Sequence, residues 1–110
     1  MKNKEILSGH DVAKSSWSDA NLTGLKWEND GRDLILNWAR NGKSIGVLKC
    51  TWARKLKINI TMGENEGGYL LTWGANINSV SDTGWILSFD FASKGEIELT
   101  CNEIFLEISG

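Results

Sequence analysis

Short segments in which apolar and polar residues alternate follow one another along this chain of 110 residues, and turn-forming residues separate them. The alternation is clearest over residues 34–38, 56–60 and 85–91. A period of two residues is typical of a β-strand with one buried face. The pattern therefore predicts an all-β, mainly antiparallel fold with little helix, in which about seven or eight short strands form a small sandwich or barrel.

An Asp-Gly pair at 30–31 predicts a tight turn between two of these segments. Both residue types tolerate the positive φ angles that a two-residue hairpin loop requires. With this loop, Trp27 lies opposite Leu34 and Leu25 lies opposite Leu36. Four large side chains then share one face of the hairpin, as a buried sheet face requires.

An Asn-Gly pair at 41–42 predicts a second tight turn, which places Trp38 opposite Ile45. The apolar residues at 48, 50 and 52 then lie on the wrong face of the strand. One extra residue restores the alternation, because a β-bulge shifts the phase by one. We predict this bulge at or beside Gly46, since glycine tolerates bulge geometry, and a bend near residues 52–54.

The second half of the chain has a similar organisation. The Ser-Lys-Gly triplet at 93–95 suits a three-residue hairpin loop that places Phe91 opposite Ile97 and Phe89 opposite Leu99. A last strand is predicted over 104–108. A shorter strand is predicted over 69–73, between loops that are rich in glycine and serine.

The two hairpins resemble each other at an offset of 51 residues. Residues 34–38 match 85–89, and residues 48–50 match 99–101; at an offset of 50, residues 56–58 match 106–108. Any two amphipathic hairpins share such periodicity, so both a duplication and a chance likeness explain these matches. A true duplication would give two similar β halves.

The length is that of one domain, and we expect a single β domain over residues 1–110. Residues 1–19 are expected to be irregular or to hold one helical turn.

No apolar run reaches the roughly 20 residues of a membrane helix, and the N-terminus lacks the apolar core of a signal peptide. These features predict a cytoplasmic protein that does not enter a membrane. Two cysteines, Cys50 and Cys101, fit that compartment, and the sequence leaves open whether they are bonded.

The two halves of the sequence carry opposite charge. Residues 34–63 hold six basic residues and no acid, whereas residues 64–110 hold eight acids and one lysine. One interpretation is that basic and acidic strands lie side by side and form exposed cross-strand pairs. The other is that the charges face different sides of the molecule and capture a charged protein or a second copy of the chain. Single-stranded nucleic acid fits less well, because the sequence pI is about 5.3 and such domains are basic.

The six tryptophans form two groups. Four share the phase of aliphatic neighbours and are predicted to lie in the core: Trp27, Trp38, Trp52 and Trp85. Trp17 and Trp73 lie near predicted loops, so we expect them to be exposed. Exposed indoles stack on sugars or anchor interfaces. They favour an alternative function, a β-barrel that binds a small ligand such as a sugar or a lipid.

Catalytic chemistry finds little support in the sequence. His10 and Asp11 are adjacent, which rarely gives the geometry of a base oriented by a carboxylate, and no nucleophile elbow is present. One histidine and two distant cysteines do not supply the four ligands of a structural zinc site. We therefore expect no enzyme activity, no cofactor and no metal.

The sequence thus predicts a non-catalytic interaction module that engages a protein partner through charge-segregated surfaces. The residues predicted to contact the partner are Arg40, Lys43, Arg54, Lys55, Lys57, Trp17 and Trp73.

Overall fold

The computed structural model describes residues 5–15, 17, 19–40, 43–61, 70–80 and 84–108. Nine strands are present in this part of the chain, together with one α-helix of four residues. The elements are β1 (Glu5–Ser8), α1 (His10–Ala13), β2 (Asn21–Glu28), β3 (Asp33–Arg40), β4 (Lys43–Thr51), β5 (Arg54–Ile60), β6 (Gly74–Val80), β7 (Gly84–Asp90), β8 (Gly95–Cys101) and β9 (Glu103–Ile108).

The strands form two antiparallel sheets that share one apolar core. Sheet A has the order β1-β9-β4-β3-β2, and sheet B has the order β5-β8-β7-β6. Both sheets contribute fully buried side chains, including Leu36 and Leu48 from sheet A and Leu87 and Leu99 from sheet B. The predicted all-β, antiparallel class is confirmed.

Two strands were not predicted, and one predicted strand is wrong. β1 and β6 are additional. Of the stretch predicted as a strand over 69–73, the described residues 70–73 form no strand and have an isolated bridge from Leu71 to Asn21. β6 escapes the alternation rule because its outward positions include Asn76 and Asn78, residues with poor β-propensity. Its register against β7 holds it in the sheet.

The first hairpin prediction is confirmed; in the second, the bulge is confirmed and the pairing of Trp38 with Ile45 is wrong. Trp27 lies opposite Leu34 and Leu25 opposite Leu36, and both turn residues at 30–31 have positive φ. In the β3–β4 pair, Trp38 lies opposite Gly46 rather than Ile45, and Ala39 lies opposite Ser44. Ile45 is therefore the extra residue of a bulge beside Gly46. The turn at 41–42 itself lies outside the described residues.

The predicted register of the last hairpin is wrong by two residues. Phe89, not Phe91, lies opposite Ile97. The loop is longer because residues Ala92–Lys94 form a 3-10 turn, closed by a hydrogen bond of 2.8 Å from the Phe91 N–H to the Gly95 carbonyl.

The strand pairing of the first half of the chain recurs in the second half. β2, β3 and β4 are consecutive in sheet A, as β6, β7 and β8 are in sheet B. The next strand of each half crosses to the other sheet, so that β5 pairs with β8 and β9 pairs with β4. The molecule therefore has a pseudo-two-fold topology.

The residue registers repeat as well. The pairs Leu34–Cys50, Leu36–Leu48 and Trp38–Gly46 of the first half recur, each 51 residues later, as Trp85–Cys101, Leu87–Leu99 and Phe89–Ile97. The change to an offset of 50 coincides with the register shift between Arg54 and Lys57 in β5. The repeat seen in the sequence thus corresponds to two similar β halves.

The equivalent residues Cys50 and Cys101 are both buried and unbonded. A hydrogen bond between their thiols, together with burial, raises the pKa of Cys50 well above its ordinary value. Separately, within the described ranges no helix combines the length and the apolar character that a membrane crossing requires.

Candidate functional site

Strand pairing places the basic part of the sequence beside the acidic part. The basic strands β4 and β5 pair with β9 and β8, which carry Glu103, Glu107, Glu96 and Glu98. In β5, Lys57 lies directly opposite Glu98. Neighbouring strands thus carry opposite charge, and Lys57–Glu98 is the one directly opposed pair of opposite charge in these registers among the described residues.

The structure does not bring the predicted basic residues together. Arg54, Lys55 and Lys57 lie on β5, an edge strand of sheet B. Arg40 and Lys43 lie opposite each other at the far end of β4, whose nine residues span roughly 26 Å. The side chain of Lys43 lies outside the described residues.

The predicted exposure of Trp17 is wrong, and that of Trp73 is confirmed. Trp17 is 6% exposed, and its ring makes edge contacts with Trp38 at 5.0 Å and Phe89 at 5.4 Å between ring centroids. Burial of so large an apolar surface outweighs its position near a loop. Trp73 is 73% exposed.

Two tryptophans that were predicted to be core residues are exposed. Trp52 is 55% exposed because its φ of 53° turns the chain at the crossing from sheet A to sheet B. Trp27 is 44% exposed because β2 is the last strand of sheet A. The other two agree with the prediction in part, since Trp38 is buried and Trp85 is half-buried.

Trp52 is the centre of a shallow pocket of about 400 Å³ at the place where three connections meet. These are the β2–β3 turn, the β4–β5 crossing and the β8–β9 crossing. We call this pocket the Trp52 corner, and it is lined by Asp30, Gly31, Arg32, Trp52, Ala53, Arg54 and Asn102.

A buried carboxylate holds the Trp52 corner together. Asp33 accepts a hydrogen bond of 3.2 Å from the Trp52 N–H and two of 3.1 Å from the Arg32 guanidinium. Asn29 also donates to it, and the Lys49 ammonium lies 3.9 Å away. The hydrogen bond from Arg32 is the largest cause that lowers the Asp33 pKa to about 2, against the opposing effect of burial. Asp33 is therefore ionised at neutral pH.

Two guanidinium groups lie against Trp52. The Arg32 guanidinium carbon lies 5.1 Å from the indole centroid, a cation–π contact. Arg54 donates to the Trp52 carbonyl at 2.9 Å and to the Asn102 side-chain oxygen at 2.8 Å. The Ala53 N–H donates to the Arg32 carbonyl at 2.9 Å. Arg32 thus lies beside the exposed indole, and Arg54 is hydrogen-bonded to the backbone that carries it.

The side chains that line this corner include one indole and two guanidinium groups. Its one buried carboxylate is ionised and occupied by donors, and among the described residues no cluster of three His, Cys, Asp or Glu could hold a metal. An exposed indole with adjacent guanidinium groups suits an apolar or aromatic side chain that is accompanied by a carboxylate. The signal in the sequence was a tryptophan at a predicted bend, followed two residues later by an arginine.

The outer face of sheet A carries a second concave surface of about 610 Å³, which we call the sheet A groove. Its apolar residues are Ile6, Ile35, Val47 and Phe105. Lys26, Lys49 and Glu107 lie among them, and Lys49 connects the groove to Asp33 beneath the Trp52 corner.

Comparison with known proteins supports the fold but assigns no chemistry. No protein-family model matches the chain, and no curated protein matches it. A solved structure of an uncharacterized protein from Neisseria gonorrhoeae is similar, with a TM-score of 0.66 and 14% sequence identity, over 94% of this chain and 97% of that chain. At this identity the likeness concerns the fold alone.

Proposed function

We propose that this protein is a non-catalytic module that binds an acidic segment of a protein partner at the Trp52 corner. The observation that carries the proposal is the exposure of Trp52 on a backbone that Asp33 holds in the left-handed region. Tryptophan and arginine are the residues most enriched among interface hot spots. The corner combines one tryptophan with two arginines.

The charge of the corner favours an acidic partner. Arg32 and Arg54 line it, and Lys55 is exposed next to Arg54. Asp30 is the one acid among the lining residues. The negative charge of Asp33 is buried beneath Arg32 and Lys49, so it is compensated before a partner arrives.

The backbone of the corner supports a binding role as well. A left-handed conformation costs an ordinary L-residue roughly 1–2 kcal/mol, and bulky residues rarely adopt it. Such strain persists where the surrounding structure enforces it, often at binding sites. A fixed indole loses little conformational entropy on binding, which favours affinity.

The test is affinity capture from native cell extract with nuclease present, at low and moderate salt, followed by binding measurements on the purified partner. Wild-type protein and a Trp73→Ala variant should recover the same acidic protein, because Trp73 is exposed away from the corner residues. Trp52→Ala should lose it. Arg54→Gln should weaken binding and its dependence on salt.

Equal recovery with wild type and Trp52→Ala would contradict the proposal, as would recovery that nuclease abolishes. Loss with Trp73→Ala alone would move the site to the predicted loop tryptophan.

A second candidate function is the binding of a small apolar ligand. The space between the sheets is occupied by Trp17, Trp38 and Phe89. The volume of the sheet A groove lies within the range of ligand pockets. An anilinonaphthalene sulfonate dye should bind wild type, and Val47→Lys should abolish this binding. Equal dye binding by both proteins would contradict the role of the groove.

The cytoplasmic location is part of the same proposal. Two buried, unbonded cysteines support it, because oxidising compartments favour disulfides.

A further inference from the structure

β2 is an edge strand of sheet A, and the described residues cover its outer backbone only at its start. At its start, the Leu22 N–H donates to the Leu70 carbonyl at 3.0 Å, and Asn21 bridges to Leu71. Beyond Leu22, no strand among the described residues pairs with the outer side of β2. Unpaired edge strands are templates for the addition of another strand.

The hairpin geometry identifies which backbone groups point outward. The Arg32 N–H donates to the Asn29 carbonyl, which closes the β2–β3 turn. In the antiparallel pattern that follows, Trp27 and Leu25 exchange backbone hydrogen bonds with β3. The N–H and C=O groups of Gly24, Lys26 and Glu28 consequently point away from β3.

The inward side of this edge is apolar and open. Trp27 is 44% exposed, although it is in phase with buried residues of sheet A. Across the gap, Ile58 of β5 is 52% exposed. Leu25 and Ile58 line a cleft of about 410 Å³ between the two sheets. β6, the equivalent of β2 in the other half, is instead contacted by α1.

We propose that a second copy of this chain pairs with β2 in antiparallel orientation, with Trp27 on the two-fold axis. Lys26 then lies opposite Glu28 of the second copy, and Glu28 lies opposite the second copy's Lys26. Both of these residue pairs exchange backbone hydrogen bonds, because their N–H and C=O groups are the ones that point outward. The two Trp27 side chains meet over the paired clefts. A symmetric interface of this kind uses the same patch on both subunits.

Charge selects this register among the alternatives. The outward groups belong to even-numbered residues, so allowed registers differ by steps of two residues. One step in one direction places Lys26 opposite Lys26, and one step in the other places Glu28 opposite Glu28. Like charges directly opposite each other are destabilising. The intermediate register alone places opposite charges at both positions.

Sedimentation equilibrium of the full chain over a range of concentrations tests the proposal. The mass should rise with concentration from 12.2 kDa toward twice that value. Glu28→Lys and Lys26→Glu should each remain monomeric alone, because each places like charges together. An equimolar mixture of these two variants should form a mixed dimer, and the double variant carrying both substitutions should dimerise as wild type does.

Two further variants test the backbone and the indole. Lys26→Pro removes an outward N–H without removing a hydrogen bond to β3, so it should abolish dimerisation while circular dichroism stays unchanged. Trp27→Ala should raise the dimer dissociation constant by about tenfold or more. Trp52→Ala should leave dimerisation unchanged, which separates this surface from the Trp52 corner.

A mass of 12.2 kDa at all concentrations would overturn the proposal. A dimer that persists in Glu28→Lys and in folded Lys26→Pro would also overturn it, because another surface would then be responsible.

Discussion

The two crossings between the sheets occupy equivalent places in the pseudo-two-fold topology, yet they are built differently. At the β4–β5 crossing, Trp52 is exposed and Asp33 fills the space beneath it with a buried side chain. At the β8–β9 crossing, the residues 51 positions later are Glu103 and Gly84. A Cβ atom on Gly84 would lie 2.1 Å from the Cys101 carbonyl oxygen, so the backbone itself fills that space.

This difference distinguishes the residues that the fold needs at a crossing from the residues that are exposed there. The β8–β9 crossing shows that the topology needs neither a tryptophan nor a buried carboxylate at this place. The Asp33 network at the other crossing therefore holds an indole outward rather than simply joining two sheets. The costly local conformation at one of two equivalent places is one of the observations on which the proposed binding role rests.

The largest loss of stability is expected from a substitution at the β8–β9 crossing, where the backbone fills the space. Gly84→Ala should lower the free energy of unfolding by about 4 kcal/mol or more, because a φ of 116° and the 2.1 Å approach both exclude a side chain. Urea denaturation measures this change. Gly74→Ala is the matched control and should change stability by less than about 1 kcal/mol, because nothing lies within 4 Å of its added Cβ. Equal effects of the two substitutions would refute the comparison.

A smaller loss of stability is expected when the Asp33 carboxylate at the β4–β5 crossing is removed. Asp33→Asn should lower the free energy of unfolding by about 2 kcal/mol, since charge-assisted hydrogen bonds from Arg32 and Trp52 are weakened in a buried place. Asp30→Asn, in the same turn but exposed, should have little effect in the same denaturation experiment. If both variants resemble wild type, Asp33 does not hold the corner.

The pH dependence of stability should also distinguish Asp33 from the exposed Asp30. Folding lowers the Asp33 pKa from 3.8 to about 2, so its contribution to stability is present above pH 3.8 and is lost as the pH falls toward 2. Unfolding free energies measured over this range should decrease less steeply in Asp33→Asn than in wild type. Asp30→Asn should retain the steeper slope. Parallel curves for all three proteins would contradict the assignment.

The smallest difference in stability is expected between glycine and alanine replacements of two exposed tryptophans. At Trp52, glycine should be more stable than alanine by about 1 kcal/mol, because glycine adopts positive φ without strain. At Trp73, whose φ is not positive, alanine should be the more stable replacement. Thermal unfolding of the four variants measures both differences. The same order at both positions would show that Trp52 is not strained.

Much of the fold could be predicted from local sequence. The Asp-Gly turn, the register of Trp27 against Leu34 and the bulge beside Gly46 follow from side-chain phase and turn chemistry, which act over a few residues. The last hairpin was predicted wrongly because a 3-10 turn lengthened its loop. β6 was missed because pairing with β7, rather than its own composition, places it in the sheet.

The candidate site was predicted less well, because exposure is not a local property. Trp17 was predicted to be exposed and is buried, because it packs between the sheets. Trp52 was predicted to be buried and is exposed, because it projects from a crossing. Arg54 was predicted to contact a partner, and this stays a prediction; its hydrogen bond with Asn102 joins residues far apart in sequence, which the sequence pattern could not indicate.

By itself, the sequence determined the strand class, the Asp-Gly turn and the bulge beside Gly46, because alternation and turn preference are encoded residue by residue. Only the tertiary structure decided which tryptophans are covered and how the charges are paired. Burial depends on whether the opposite sheet reaches a position, and cross-strand pairing depends on which strands become neighbours. The crossing of β5 and β9 to opposite sheets determines burial and strand pairing alike. It also places basic strands beside acidic strands.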